Sequence, residues 1–383
     1  MSQEHAPDPE SRLRVLDALR AVAILGVLVH HYLSRYAPPD HPGNLYGYIH
    51  HYPQWLDLGA MGVQLFFIIS GFVIFMTLQR CSHLVEFWTR RLARLYPAYI
   101  LASVVTLIFV NAIGPEEFHS TIRDAVVGWT FLTPYVPSVR FVEPAYWSLV
   151  VEMQFYLCIS LVYAFFRDRF ELAWTLYIGA GALLWLLGEV TPWPALGSVS
   201  RHVFLASYIP YFTAGIVFYE LFRRRQTGDV RMSGILLMCV AALVEYVIST
   251  PRFTIPQHLV TLAMVLIFTL FIRGRLEWLA VRPLLFIGSI SYSLYLLHQY
   301  IGVSLIAVLV RAAHLPDLLA AGTAATACGA LAYSLTRWIE IPAKRWTLRT
   351  ARSRLFPRLG FHLPALAFAG ATQRVPQWLG VRR

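Results

Sequence analysis

The 383-residue chain is 57% apolar and only 14% charged, with a mean hydropathy of +0.56. Soluble domains carry roughly 45–50% apolar and about 25% charged residues, so the composition excludes one and points to an integral membrane protein. The formal net charge of +11 is therefore not read as affinity for nucleic acid.

Apolar runs of about 20 residues, separated by short polar segments, predict spans near 13–36, 57–79, 95–113, 146–166, 171–189, 203–222, 232–250, 257–272, 284–310 and 318–336. The expected fold is all-α, a polytopic transmembrane bundle of about ten spans embedded in the lipid bilayer. With a cytoplasmic N-terminus, the inside segments hold 26 of the 32 Lys and Arg residues. The positive-inside rule then predicts that both termini are cytoplasmic, in a multi-pass protein of the cell's inner membrane. The first span ends HHYLSRYAPPD, without an A-x-A-like cleavage site, so it is expected to stay. Residues 1–350 read as one transmembrane domain and 351–383 as a basic, partly apolar cytoplasmic tail. The outer loop 114–145 holds DAVVGWTFL, too short to span and expected to lie at the interface or re-enter. Cys81, Cys158, Cys239 and Cys328 suggest neither a disulfide framework nor zinc spacing. His41, His50 and His51 are loop histidines of a kind that seldom binds metal, and no metal site is read from them.

The first span, LDALRAVAILGVLVHHY, carries polar groups that lipid penalises. Arg or Asp at a helix centre costs about 2.5–3.5 kcal/mol on insertion scales. Arg20 and His31 are eleven residues apart, about three helical turns, so they share a face to within ~20° and lie ~16 Å apart along the axis. His30 falls about 80° off that face. Asp17 is placed to hold the Arg20 guanidinium by an i, i+3 pair. Alone, this pattern also fits an interfacial anchor at each end.

Further polar groups follow in chain order. Span two contains GVQLFFIISGFVIF, where Ser70-Gly71 reads as a close-packing contact or helix break. The segment EFWTRRLARLYPAYI sets Arg90, Arg91 and Arg94 at the inner surface, a donor set suited to phosphate. Span four, AYWSLVVEMQFYL, aligns Ser148, Glu152 and Tyr156 on one face, with Glu152 at a depth similar to His31. A carboxylate there would orient a neutral histidine as a general base. Span nine, GSISYSLYLLHQY, brings Ser291, Tyr295 and His298 into the bundle. IEIPAKRW, with Glu340 and Lys344, reads as an exit turn with basic anchoring.

Together these segments resemble the membrane-bound acyltransferase 3 family: LDALRAVAILGVLVHHY, GVQLFFIISGFVIF, FWTRRLARLYPAY, YWSLVVEMQFYL, SYSLYLLH and IEIP occur in that order over most of the chain. The resemblance implies an O-acyltransferase moving an acyl group, commonly acetyl, from acyl-CoA to a hydroxyl of a carbohydrate or other acceptor. It carries the family's histidine onto His31, its arginine onto Arg20 and its glutamate onto Glu152. Acyl-CoA would serve as donor substrate rather than as a tightly bound cofactor. Arg90, Arg91 and Arg94 would take its phosphates, with Asp17, His30, Ser148, Tyr295 and His298 in support. His31 is expected to deprotonate the acceptor or to carry the acyl group itself; the residues leave both open. A membrane transporter or flippase of a polar or lipid-linked substrate is the alternative, since buried polar groups also mark substrate pathways.

Overall fold

The computed structural model describes residues 9–35, 53–227 and 232–356. The loop histidines His41, His50 and His51 and the tail beyond 356 lie outside the described residues. The described chain is helical throughout, without strands. Its α-helices are α1 (Pro9–Val29), α2 (Gly62–Arg80), α3 (Leu84–Ile113), α4 (Ile122–Gly128), α5 (Trp147–Phe166), α6 (Phe170–Val190) and α7 (Pro194–Val203). They continue as α8 (Ile209–Thr227), α9 (Met232–Ser249), α10 (Ile255–Ile272), α11 (Arg282–Leu297), α12 (Gln299–Arg311), α13 (Asp317–Leu335) and α14 (Ile341–Thr350).

Each expected span finds a helix, but length and composition support fewer crossings than ten. Among the described residues six helical stretches are long and apolar enough to cross a membrane, or seven if α11 and α12 form one bent span. The protein is thus a multi-pass helical membrane protein.

Helix α1 packs one face against α2 and α11 and leaves Val22, Leu25 and Val29 exposed on the other. Ala18, Ala21, Ala23, Ile24 and Val27 of α1 are sealed from solvent. Small residues let the backbones close up, since lipid offers helices no hydrophobic drive to associate. A Cβ on Gly71 of α2 would sit 2.1 Å from the Phe212 carbonyl oxygen of α8, and one on Gly288 of α11 would sit 1.9 Å from that of Asp17. Gly71 is therefore the close-packing contact its sequence suggested. Stacked aromatics fill the space beside it, with Phe212 4.0 Å from Phe155 and 4.6 Å from Phe67 between ring centroids.

Two local features depart from the sequence reading, and the outer loop expected not to span shows how it folds. Helix α3 begins at Leu84 and continues through Pro97, so Arg90, Arg91 and Arg94 ride on a helix rather than a loop. Glu86 favours that start: its carboxylate accepts the Ser82 N–H and lies in the first turn, where the helix dipole is positive. The loop 114–145 does not span; it folds into α4, whose Thr121–Asp124 capping box closes its first turn. Tyr96 and Tyr99 hydroxyls pin it to α3 through the Trp129 and Gly128 carbonyls. Finally, the predicted span 284–310 is two helices, bent by 78° at His298.

Candidate active site

Two cavities lie within the helical bundle. The first, with about 730 Å³ of empty space, is lined by Arg20 of α1, Ser70 of α2, Arg91 and Arg94 of α3, Ser148, Glu152 and Tyr156 of α5, and Tyr295 of α11. We call it the arginine cavity. The second, of about 1030 Å³, is lined by His30, His31 and Arg35, by Trp147 and Tyr208, and by Gln299 of α12. We call it the histidine cavity. Val63 and Tyr295 line both, so the two cavities meet at the Tyr295 side chain.

In the arginine cavity, Arg20 Nη1 donates to Asp17 Oδ1 at 2.6 Å, the i, i+3 pair the sequence suggested. Glu152 Oε1 accepts from Ser70 Oγ at 2.5 Å and Tyr156 Oη at 2.6 Å. Arg91 donates to Thr77 Oγ1 at 3.2 Å. Arg90 instead turns to Glu86, pairing at 2.6 Å, and is not among the cavity's lining residues. Two further residues complete the charge field. Glu340, at the end of a π-turn over Thr336–Glu340, accepts from Ser293 at 3.1 Å and from Thr336 at 3.4 Å, within electrostatic reach of Arg94. Lys344 of α14 lies within reach of Arg94, Glu340, Arg91 and Arg20. Three arginines and one carboxylate, Glu152, thus line the cavity, with Asp17, Glu340 and Lys344 within electrostatic reach, and the cluster keeps a positive excess suited to an anion.

The histidine cavity depends on two departures from regular helix. At His30 the α1 helix widens into a π-turn, His30–Arg35, a form that recurs at functional sites. The π-turn carries His31, 8% exposed, towards the α11–α12 break, where His298 is fully buried. His298 Nε2 lies 3.1 Å from His31 Nδ1, and His298 Nδ1 lies 2.8 Å from the Tyr295 carbonyl oxygen. A carbonyl only accepts, so Nδ1 of His298 carries its proton. In the neutral ring Nε2 then accepts from His31 Nδ1–H. That assignment leaves Nε2 as the basic nitrogen of the neutral His31 ring. His30 lies in the same cavity, its Nδ1 3.4 Å from Asp57 Oδ1.

The expected pairing of Glu152 with His31 is not formed. Glu152 lines the arginine cavity, whereas the Nδ1 of His31 meets His298. The reason is local: Ser70 and Tyr156 hold the carboxylate on the α2 side, and the π-turn re-aims His31 to α11. Ser148 Oγ and Tyr295 Oη stand 2.7 Å apart where the cavities meet, and both reach the Ala145 carbonyl. The sequence reading missed Ser70 as a carboxylate partner and Glu340 and Lys344 as members of the charge cluster. The IEIP carboxylate was the available signal for the latter two.

This constellation can be compared with known proteins. A family model for an acyltransferase domain, that of the acyltransferase 3 family, matches residues 13–335. The chain belongs to the acyltransferase 3 family. It is 27% identical over 318 residues to the O-acetyltransferase OatA of Staphylococcus aureus (strain NCTC 8325 / PS 47), covering 74% of this chain and 49% of that one. It is 26% identical over 265 residues to the acyltransferase MdmB of Streptomyces mycarofaciens, covering 63% of this chain and 67% of that one. The chain thus spans about half the length of the O-acetyltransferases it matches. No solved structure matches it. Both cavities and both broken helices fall within the matched residues.

Proposed function

We propose that this protein is an O-acyltransferase of the cytoplasmic membrane that moves an acyl group, acetyl first among candidates, from acyl-CoA to a hydroxyl acceptor. The observation that carries this reading is the meeting of a cationic cavity and a histidine cavity at Tyr295. Acyl-CoA enters the arginine cavity from the cytoplasm, with Arg91, Arg94, Arg20 and Lys344 facing its phosphates and pantetheine arm. The acceptor, a carbohydrate or similar polyol, enters the histidine cavity from the opposite side, against Trp147 and Tyr208. Aromatic faces suit sugar rings as well as interfacial lipid.

The chemistry follows from the tautomer. His31 Nε2 takes the proton of the acceptor hydroxyl as its oxygen attacks the thioester carbonyl carbon. The tetrahedral adduct collapses with cleavage of the C–S bond, and the proton on His31 passes to the departing CoA thiolate. The products are the acyl ester and free CoA. Tyr295 and Ser148, at the partition, share the Ala145 carbonyl and each other as partners; a turn of either hydroxyl away from that carbonyl would let it donate to the thioester oxygen as it gains charge. Glu152 acts in the arginine cavity by ordering Ser70 and Tyr156 and balancing the arginines.

The test is thiol release from acetyl-CoA by protein in nanodiscs, with a membrane extract as mixed acceptor. Wild type and His30→Ala are expected to release CoA, and His31→Ala to be silent. Equal release by His31→Ala and wild type would overturn the assignment. Absence of both binding and release in wild type would remove the acyl-CoA donor. Family membership gives the transporter alternative no support.

A further inference from the structure

Helix α11 stops at Leu297 and α12 starts at Gln299, so the break at His298 strips several backbone groups of their helical partners. In a membrane interior each such group needs another partner. The segment 143–148 supplies two of them, one on each side of the break, while Tyr32 Oη donates to the His298 carbonyl at 2.8 Å. Tyr146 Oη donates to the Leu296 carbonyl at 3.1 Å. Tyr295 Oη donates to the Ala145 carbonyl at 3.1 Å and meets Ser148 Oγ at 2.7 Å. On the far side, the Tyr300 N–H in the first turn of α12 points at the Glu143 carboxyl, 3.0 Å from Oε2 and 3.3 Å from Oε1. Glu143 is fully buried, and its own Ala145 N–H closes the turn beneath it. Nothing in the acyl-transfer scheme above uses this carboxyl.

We propose that Glu143 is a positioning residue that fixes the α11–α12 break and thereby holds His298 against His31. The proposal rests on the acyl-transfer reading for its kinetic consequence but not for its geometry. The carboxyl holds the first turn of α12 while Tyr146 holds the last turn of α11, so His298 lies between two fixed points. Pro144 and Ala145 of the same segment line the histidine cavity. One short stretch therefore shapes the cavity wall and sets the imidazole pair. The link is by contact rather than by charge, because what Tyr300 N–H requires is an oxygen acceptor at that place.

Three variants separate these ideas. Glu143→Gln keeps an acceptor oxygen of the same reach, Glu143→Asp keeps the carboxyl but is one methylene short, and Glu143→Ala keeps neither. In nanodiscs with acetyl-CoA and membrane extract, Glu143→Ala and Glu143→Asp are expected to lose kcat by about 10²-fold, the scale of a misplacement near 1 Å. Their KM for acetyl-CoA is expected to stay at the wild-type value, because the arginine cavity is untouched. Glu143→Gln is expected to restore kcat. A second readout needs no turnover: carbethoxylation by diethyl pyrocarbonate, mapped by peptide mass spectrometry. His298, sealed in wild type, is expected to label faster in Glu143→Ala and Glu143→Asp and at the wild-type rate in Glu143→Gln. Should Glu143→Ala fail to fold, Glu143→Asp decides the comparison. Unchanged His298 labelling in the short variants, or Glu143→Gln as impaired as they are, would overturn the proposal. If wild type releases no CoA, the acyl-transfer reading fails and the labelling comparison still decides this one.

Discussion

Replacing His298 with alanine probes the imidazole pair directly. The substitution removes the acceptor 3.1 Å from His31 Nδ1 and deletes a side chain that no solvent reaches. A buried neutral hydrogen bond has a net worth of about 0.5–1.5 kcal/mol, which biases the His31 tautomer by roughly 2- to 13-fold. Loss of the packed ring also frees the His31 ring to turn, and a misplacement near 1 Å is worth up to about 10²-fold. Together they predict a fall in kcat of about 10²-fold, inside the range of about 10²–10⁴ that a general base contributes. His298→Gln offers an amide oxygen to Nδ1–H and is expected to recover most of that loss. The assay is initial-rate CoA release in nanodiscs, paired with nitrogen-15 NMR of labelled histidine to read the tautomer. Wild-type rates in His298→Ala, or a wild-type His31 protonated on Nε2 rather than Nδ1, would refute the reasoning.

Other consequences follow from particular contacts. Arg94→Ala is expected to raise the KM for acetyl-CoA about 10-fold or more, since a charge-assisted contact is worth about 1.5–3 kcal/mol; Arg90→Ala should leave KM alone and lower the melting temperature, because buried Glu86 loses its pair. Both oxygens of Glu245 in α9 are buried without a hydrogen-bond partner among the described residues, so Glu245→Leu should raise the melting temperature, by about 1–3 kcal/mol of stability. Burial alone would push the Asp124 carboxyl up, but hydrogen bonds from Thr121 and the Arg140 N–H hold it below its ordinary value. Its contribution is therefore present above the unfolded pKa near 4 and lost as pH falls through the folded value. A melting-temperature series from pH 6 to pH 3 should show that fall in wild type and a weaker one in Asp124→Asn.

Much of the scaffold was legible because lipid imposes a simple rule on sequence: long apolar runs become helices, and polar residues inside them face the bundle. Arg20, His31, Glu152, Tyr295 and His298 all announced themselves this way, as exceptions within apolar runs. What stayed hidden were departures from the regular helix. The π-turn at His30 has no residue signature in HHYLSR, yet it carries His31 to His298 while Ser70 and Tyr156 hold Glu152 elsewhere. The bend at His298 lacks a proline or glycine at the break; it persists because Tyr146, Tyr32 and Glu143, distant in sequence, satisfy the freed backbone. Arg90 illustrates a subtler limit. It shares a cluster with Arg91 and Arg94, but Glu86 one turn earlier claims it, and only the direction of each side chain separates pairing from lining.

The central claim is that donor and acceptor meet from opposite faces through cavities joined at Tyr295. The most direct measurement is sided transfer in sealed proteoliposomes of determined orientation, with radiolabelled acetyl-CoA trapped inside and a membrane-extract acceptor supplied only outside. The account predicts labelled acceptor outside when the arginine cavity opens to the lumen, and none from the His31→Ala protein. Transfer only when donor and acceptor share one compartment would contradict it.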